Sequence, residues 1–423
     1  MFSKNQKCIA LISVHGDPSA EIGKEEAGGQ NVYVRQVGEA LSRQGWHVDM
    51  FTRLADAEQP VIVQHSDRCR TIRIEAGPKR FIPRDELFEY LPTFVQGFLK
   101  FQRQSGLKYQ VLHTNYWLSS WVGMQLKKPL AIPQVHTYHS LGAVKYQSVS
   151  TVPLIASTRL DVEKMVLETA ERIVATSPQE QEHMRSLVSP KGAIDVIPCG
   201  TNIDHFGSVS REAGREKLGI APDEKVVLYV GRFDPRKGID TLVRAIGRSQ
   251  LKDSGKLRLI IGGGSRPGQS DGIERERIEG IVAELGIGAF TEFPGRLSPT
   301  VLPTYFGAAD VCVVPSHYEP FGLVAIEAMA CRIPVIASDV GGLQFTVRSE
   351  QTGLLVPPRD DAAFADAIDR ILLNPNWQHQ LGQAARKHVE EKFSWKGVAT
   401  QLADLYLQLM DESSTSKTAR VSA

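Results

Sequence analysis

The chain has almost no net charge: 49 Lys and Arg stand against 48 Asp and Glu, leaving +1 over 423 residues. That balance gives no electrostatic case for nucleic acid or a membrane surface as a partner. Cysteine is sparse too. Cys8, Cys69, Cys199, Cys312 and Cys331 form no Cys-x-x-Cys pair and have no His-rich neighbourhood. Neither a zinc site nor a disulfide framework is expected, and a reducing compartment is. No run reaches the ~18 consecutive apolar residues of a membrane span. The N-terminus lacks an apolar core long enough for a signal peptide, so the expected location is cytoplasmic. No Asp-x-Asp motif follows an apolar strand, so no metal and no cofactor is expected. No repeat of short period is present.

What is present is ordinary soluble composition, 42% hydrophobic and 23% charged, in a chain long enough for two domains. Short β-branched apolar runs alternate with helical patterns. In the first half they cover 8–14, 47–52, 71–75, 110–114, 132–137, 172–176 and 193–197. In the second half they cover 225–231, 257–262, 311–315, 334–338 and 353–356. This rhythm predicts α/β folding, with parallel sheets covered by helices on both faces. A turn-rich stretch near 199–210 predicts a hinge between two Rossmann-like domains. The first is placed at 1–200 with 394–423 added, the second at 201–393. Residues 412–423 are small and polar and are expected to be without structure.

The most specific segment is Glu319-Pro-Phe-Gly-Leu-Val-Ala-Ile-Glu327. It follows a buried strand and opens a helix. The N–H groups of Phe321, Gly322 and Leu323 can therefore face a ligand, and the helix end favours an anion. Glu319 and Glu327 can accept hydrogen bonds from sugar and ribose hydroxyls. Upstream, Arg232 and Lys237 flank an Asp-Pro turn after the strand at 225–231. An Arg fork and a Lys point charge on one diphosphate would neutralise charge building on a leaving nucleotide. Gly263 lies in a glycine turn that permits close backbone approach to a ligand.

The string EPFGLVAIEAMA resembles retaining nucleotide-sugar glycosyltransferases of family 4, marked by two Glu with seven residues between. The resemblance implies the GT-B architecture: two facing Rossmann-like domains, with a last helix that returns to the first. It implies diphosphate binding by Arg232 and Lys237. It also implies that Arg296 and Leu297, in the segment Phe293-Pro-Gly-Arg-Leu297, hold the base through backbone groups.

In the first half, Gly28-Gly-Gln-Asn-Val-Tyr-Val34 precedes an amphipathic helix. Gly28 and Gly29 line a helix N-terminus suited to a diphosphate or a phosphorylated acceptor. The spacing is not GxGxxG, which disfavours a nicotinamide cofactor. Gln30 offers an amide to a sugar hydroxyl. This string resembles the Gly-Gly-Gln loop of sucrose-forming glycosyltransferases. His139-Ser-Leu-Gly-Ala-Val-Lys145 resembles the HSLG…K segment of sucrose-phosphate synthases, which implies His139 at the reacting sugar and Ser140 and Lys145 at the acceptor. Lys79 and Arg159 are further candidates for the acceptor phosphate. Those synthases carry an Arg pair where this chain has Thr158-Arg159.

The activity implied is transfer of glucose from UDP-glucose to fructose 6-phosphate with retention, giving sucrose 6-phosphate and UDP. No second catalytic module follows, so a separate phosphatase is expected to take the product. Sucrose synthase chemistry on free fructose, transfer to inositol phosphate and a UDP-sugar epimerase remain enzyme alternatives. A non-catalytic nucleotide-sugar-binding regulator is the alternative outside enzymes.

Overall fold

The computed structural model describes residues 7–20, 28–147 and 152–421, with side chains to residue 413. The chain forms two compact units, Met1–Pro198 with Trp395–Ala423, and Cys199–Ser394.

Unit 1 is built on β1 (Cys8–Ile12), β2 (His47–Arg53), β3 (Ile62–Ser66), β4 (Cys69–Ile74), β5 (Val111–Asn115), β6 (Gln134–Thr137), β7 (Arg172–Ala175) and β8 (Ile194–Val196). Their spatial order is β3-β4-β2-β1-β5-β6-β7-β8. Every residue of β1, CIALI, is buried, as a strand covered on both faces requires. Only β3 runs antiparallel, paired to β4 at the sheet edge. Strand order reverses between β1 and β5, which pair in parallel from Ile9↔Val111 to Ile12↔Thr114.

Unit 2 carries β9 (Lys225–Val230), β10 (Leu257–Gly262), β11 (Thr291–Gly295), β12 (Val311–Val314), β13 (Val335–Ser338) and β14 (Gly353–Val356). They form one parallel sheet in the order β11-β10-β9-β12-β13-β14. Its order reverses between β9 and β12. Ligands of open α/β sheets sit beyond the strands' carboxyl ends at such reversals.

The helix Trp395–Val421 follows unit 2 in sequence but packs in unit 1. Trp395, Val398, Leu402, Tyr406 and Leu409 are buried. The Tyr406 hydroxyl lies 2.6 Å from His113 Nδ1 on β5, and Trp395 meets Tyr33 edge-on. The expectation of an unstructured tail is corrected here, because helical backbone runs on to Val421. Residues 422–423 lie outside the described residues. Among the described residues no helix is long and apolar enough to cross a membrane.

Candidate active site

Unit 1 gathers polar groups at the carboxyl ends of β1, β5 and β6. Gly28 caps the helix Gly29–Arg43, its N–H donating to Asn31 Oδ1 at 3.0 Å. The helix's next amides, Gly29 to Asn31, have no intrahelical partner. Among the described residues nothing lies within 4 Å of where a Cβ on Gly28 would stand. Gln30 Nε2 donates to Ser13 Oγ at 3.0 Å. The donor half of the amide is thus held inward, and its carbonyl oxygen is the half left for a ligand.

His139 sits in the loop after β6 with φ 60°, a left-handed conformation that a residue bearing a Cβ adopts only at a cost of about 1–2 kcal/mol. A buried ion pair from the helix Ala156–Thr169 holds this loop. Arg159 Nε donates to Glu163 Oε1 at 2.7 Å, and Glu163 accepts the Gly142 N–H at 2.8 Å. Arg159 Nη2 donates to the Ser140 carbonyl at 2.6 Å, and Nη1 to the Tyr116 hydroxyl at 3.1 Å. Burial alone would weaken the charge on Arg159, but Glu163 overrides it and the guanidinium stays ionised. A Cβ on Gly142 would lie 3.0 Å from both Arg159 Nε and Glu163 Oε2. Glycine there lets the loop close on the pair.

This placement differs from the sequence expectation for Arg159. The side chain is fully buried and all three of its nitrogens are engaged by protein. It braces Ser140 from beneath instead of standing out as a free cation. Lys79, by contrast, is exposed on its loop, 3.1 Å from Glu75. Lys145 lies in the short helix Gly142–Gln147, near enough for its charge to act on Glu163.

The His139 proton can be placed. Asn115 Nδ2 faces two carbonyls, of Ile12 and His113, so Asn115 Oδ1 is the atom 2.8 Å from His139 Nε2. Burial, then the nearby His113, push the His139 pKa down to about 3. The ring is neutral at pH 7, Nε2 carries the hydrogen, and Nδ1 keeps a lone pair for a hydroxyl donor.

Sequence reading missed two neighbours of this group. Tyr116, at the end of β5, has φ 73° and packs against His15 with ring centroids 4.5 Å apart. Nothing in the sequence marks that backbone. Arg84 opens the turn Arg84–Tyr90, and after burial its charge is the next cause holding His15 neutral. The only signal for it was the basic stretch in which it lies.

Unit 2 gathers its groups at the ends of β9 and β12. Asp234 caps the turn Pro235–Lys237 by accepting from the Arg236 N–H. The turn leaves Arg232 exposed and aims Lys237 across at Glu319, Nζ to Oε2 at 2.5 Å. The two loops are also joined through backbone, the His317 N–H donating to the Arg236 carbonyl at 2.7 Å. Gly238 has φ 64°, and a Cβ on it would lie 2.1 Å from the Pro315 carbonyl oxygen. Gly341 and Gly342 pack in the same way on the backbone of Glu319 and Pro320. The Gly-Gly pair after β13 was the overlooked signal.

Gly322, at φ 92°, caps the helix Leu323–Ala330. Phe321 is buried beneath this turn, and the amides of Gly322 and Leu323 begin the helix without intrahelical partners. Glu327 is half-buried in that helix among apolar side chains. Burial raises its pKa to about 7, and no described residue hydrogen-bonds or ion-pairs with its carboxyl. Gly263 makes a close approach, although to protein: a Cβ there would lie 2.2 Å from the Gly231 carbonyl oxygen. Arg296 is exposed just beyond β11, and Leu297 packs over Gly262.

Residues 28–200 match the glycosyl transferase 4-like domain, and residues 210–388 match the glycosyl transferases of group 1. A sucrose-phosphate synthase structure from Thermosynechococcus elongatus is 53% identical with a TM-score of 0.88, over 96% of this chain and 100% of that one. D-inositol 3-phosphate glycosyltransferases from Saccharomonospora viridis and Corynebacterium jeikeium are 35% and 36% identical, each over 95% of this chain and over 94% and 96% of their own. Anabaena HepE, solved in complex with UDP and glucose, has a TM-score of 0.75 at 20% identity and supports the GT-B fold.

Proposed function

The chain belongs to the group 1 glycosyl transferases, and from that premise we propose that it is a sucrose-phosphate synthase. It moves glucose from UDP-glucose to fructose 6-phosphate with retention and gives sucrose 6-phosphate and UDP. The observation that carries this reading is the 53% identity to a sucrose-phosphate synthase along nearly the whole chain.

In this reading each group has a part. Arg232, Lys237 and the unpaired amides of the helix Leu323–Ala330 receive the diphosphate. Glu319, kept in place by Lys237, accepts from glucose hydroxyls. Glu327 accepts from the ribose, Arg296 and Leu297 flank the base, and Gly263 borders the donor. In the front-face substitution the bond from glucose C1 to the phosphate oxygen breaks. The bond from C1 to the fructose hydroxyl oxygen forms on the same face, and the hydroxyl proton passes to the leaving phosphate. Neutral His139 accepts a sugar hydroxyl at Nδ1. Gly28, Gln30, Lys79, Ser140 and Lys145 hold the acceptor, with Arg84 as a further cation and Arg159 bracing Ser140. No step uses a metal, and the phosphorylated product is left for a phosphatase.

The identity to D-inositol 3-phosphate glycosyltransferases favours a second reading, in which the same cations take an inositol phosphate. UDP release from UDP-glucose, measured with fructose 6-phosphate, fructose, inositol 3-phosphate or no acceptor, separates the two. Release dependent on fructose 6-phosphate is expected. Release dependent on inositol 3-phosphate replaces the acceptor while keeping the donor assignments, and release equal in all four sinks both readings.

A further inference from the structure

Arg53 ends β2, a strand buried throughout, and is itself only 4% exposed. Among the described residues no carboxylate pairs with it. Its guanidinium is bound by carbonyls instead. Nη1 donates to Pro78 at 2.7 Å and to Leu54 at 3.2 Å, and Nη2 donates to Arg80 at 2.6 Å. Two of these carbonyls flank Lys79 on either side. A buried cation without a counter-ion is costly, and burial accordingly lowers the pKa of Arg53 from the ordinary arginine value.

The loop that Arg53 grips is fixed from a second direction. Gly77 has φ 77°, and a Cβ there would lie 2.5 Å from the Tyr90 ring. Pinned by Arg53 below and by Tyr90 at its entry, the loop presents Lys79 and Arg80 to solvent. In this structure the Lys79 partner is the exposed Glu75, at 3.1 Å. An exposed pair of that kind is weak and yields readily to a better anion.

We propose that Arg53 is a positioning residue for the acceptor's phosphate: it sets the backbone on both sides of Lys79 and leaves an uncancelled positive charge beneath the loop. The inference rests on the reading that the acceptor is a phosphorylated sugar. It assigns selectivity for the dianion to a buried residue that does not touch it. A phosphate docking on Lys79 supplies the missing negative charge, and the field of a buried cation is screened less than that of a surface lysine.

The test uses the full-length enzyme, with UDP-glucose as donor and whichever phosphorylated acceptor the wild type turns over. Arg53→Met is expected to raise KM for the phosphorylated acceptor by about 10- to 100-fold, in the range of a lost buried charge contact. KM for UDP-glucose and the acceptor-free release of UDP are expected to stay within about twofold. Arg53→Lys keeps the charge and loses the two-carbonyl grip, so a rise of about 3- to 10-fold is expected. A purely structural role would move both KM values together, or lower the melting temperature and leave the ratio alone. If Arg53→Met does not fold, Arg53→Lys carries the test, and an unchanged acceptor KM overturns the proposal. A wild type that prefers the phosphorylated acceptor while neither variant shifts its KM sinks the Arg53 role alone. A wild type indifferent to acceptor phosphate sinks the acceptor reading and the Arg53 role together.

Discussion

At the scale of single residues, Glu327 makes the sharpest statement. Its carboxyl has an apolar setting and a pKa raised by burial to about 7. The folded protein therefore holds that proton more tightly than the unfolded chain does. The resulting stabilisation is complete below the ordinary carboxylate pKa and is lost as pH rises through 7. Donor binding runs the other way. If Glu327 accepts from both ribose hydroxyls, as proposed, it must be ionised, and binding then displaces the proton. UDP-glucose, whose diphosphate keeps its charge over this range, should lose about tenfold in affinity per pH unit from roughly pH 7 downward and level off above it. Glu327→Gln should bind more weakly at pH 8 and show no such slope. Calorimetric titration of both proteins across pH decides this, and an equal slope in the variant removes Glu327 from the ribose.

The loops show what local sequence cannot carry. Gly238 reads as the end of a turn, yet its space is set by the Pro315 carbonyl from the next loop. Gly238→Ala would combine a left-handed backbone with a backbone clash, and the two loops must part to relieve it. The distance between Lys237 and Glu319 should open. A drop in kcat of at least about 100-fold, with a melting temperature lower by several degrees, is expected. Full activity in steady-state assays would mean that the two loops need not be held together. Legibility follows the same division. The buried strands announced themselves because β-branched runs have few alternatives. β3 did not, since its IVQHS alternates toward solvent at an edge, and β11 was masked by Pro294 and Gly295. Glu319, Gly322 and Glu327 were legible as a strand–loop–helix junction. Arg53 and Arg159 were not, because a charged residue that ends up bracing a loop looks, in sequence, like one that meets a ligand. The carbonyls they brace at Pro78 and Ser140 lie 25 and 19 residues away in the chain.

At the scale of the whole molecule, the chain leaves unit 1 at Pro198 and returns to it at Trp395. The groups proposed for the donor, from Arg232 to Glu327, all lie inside one uninterrupted segment, Cys199–Ser394. Those proposed for the acceptor lie in a unit whose last element comes from the far end of the chain. That helix is no ornament: Tyr406 is fully buried, meets Trp46 edge-on with centroids 5.6 Å apart, and supplies the partner of His113 Nδ1. His113 in turn reaches Thr137 at 2.8 Å, at the end of the strand that leads into His139. Tyr406→Phe would leave one buried imidazole nitrogen unpaired and should cost about 1–3 kcal/mol in unit 1. Ending the chain after Ser394 goes further, uncovering the apolar face on which Trp395, Leu402 and Tyr406 pack. The truncated protein should unfold unit 1 at lower urea and lose acceptor-dependent turnover, while calorimetry still detects UDP binding by the segment that holds Arg232, Lys237 and Glu327. Loss of UDP binding together with turnover would mean that the donor groups depend on unit 1 for their arrangement, and that chain continuity does not divide the two tasks.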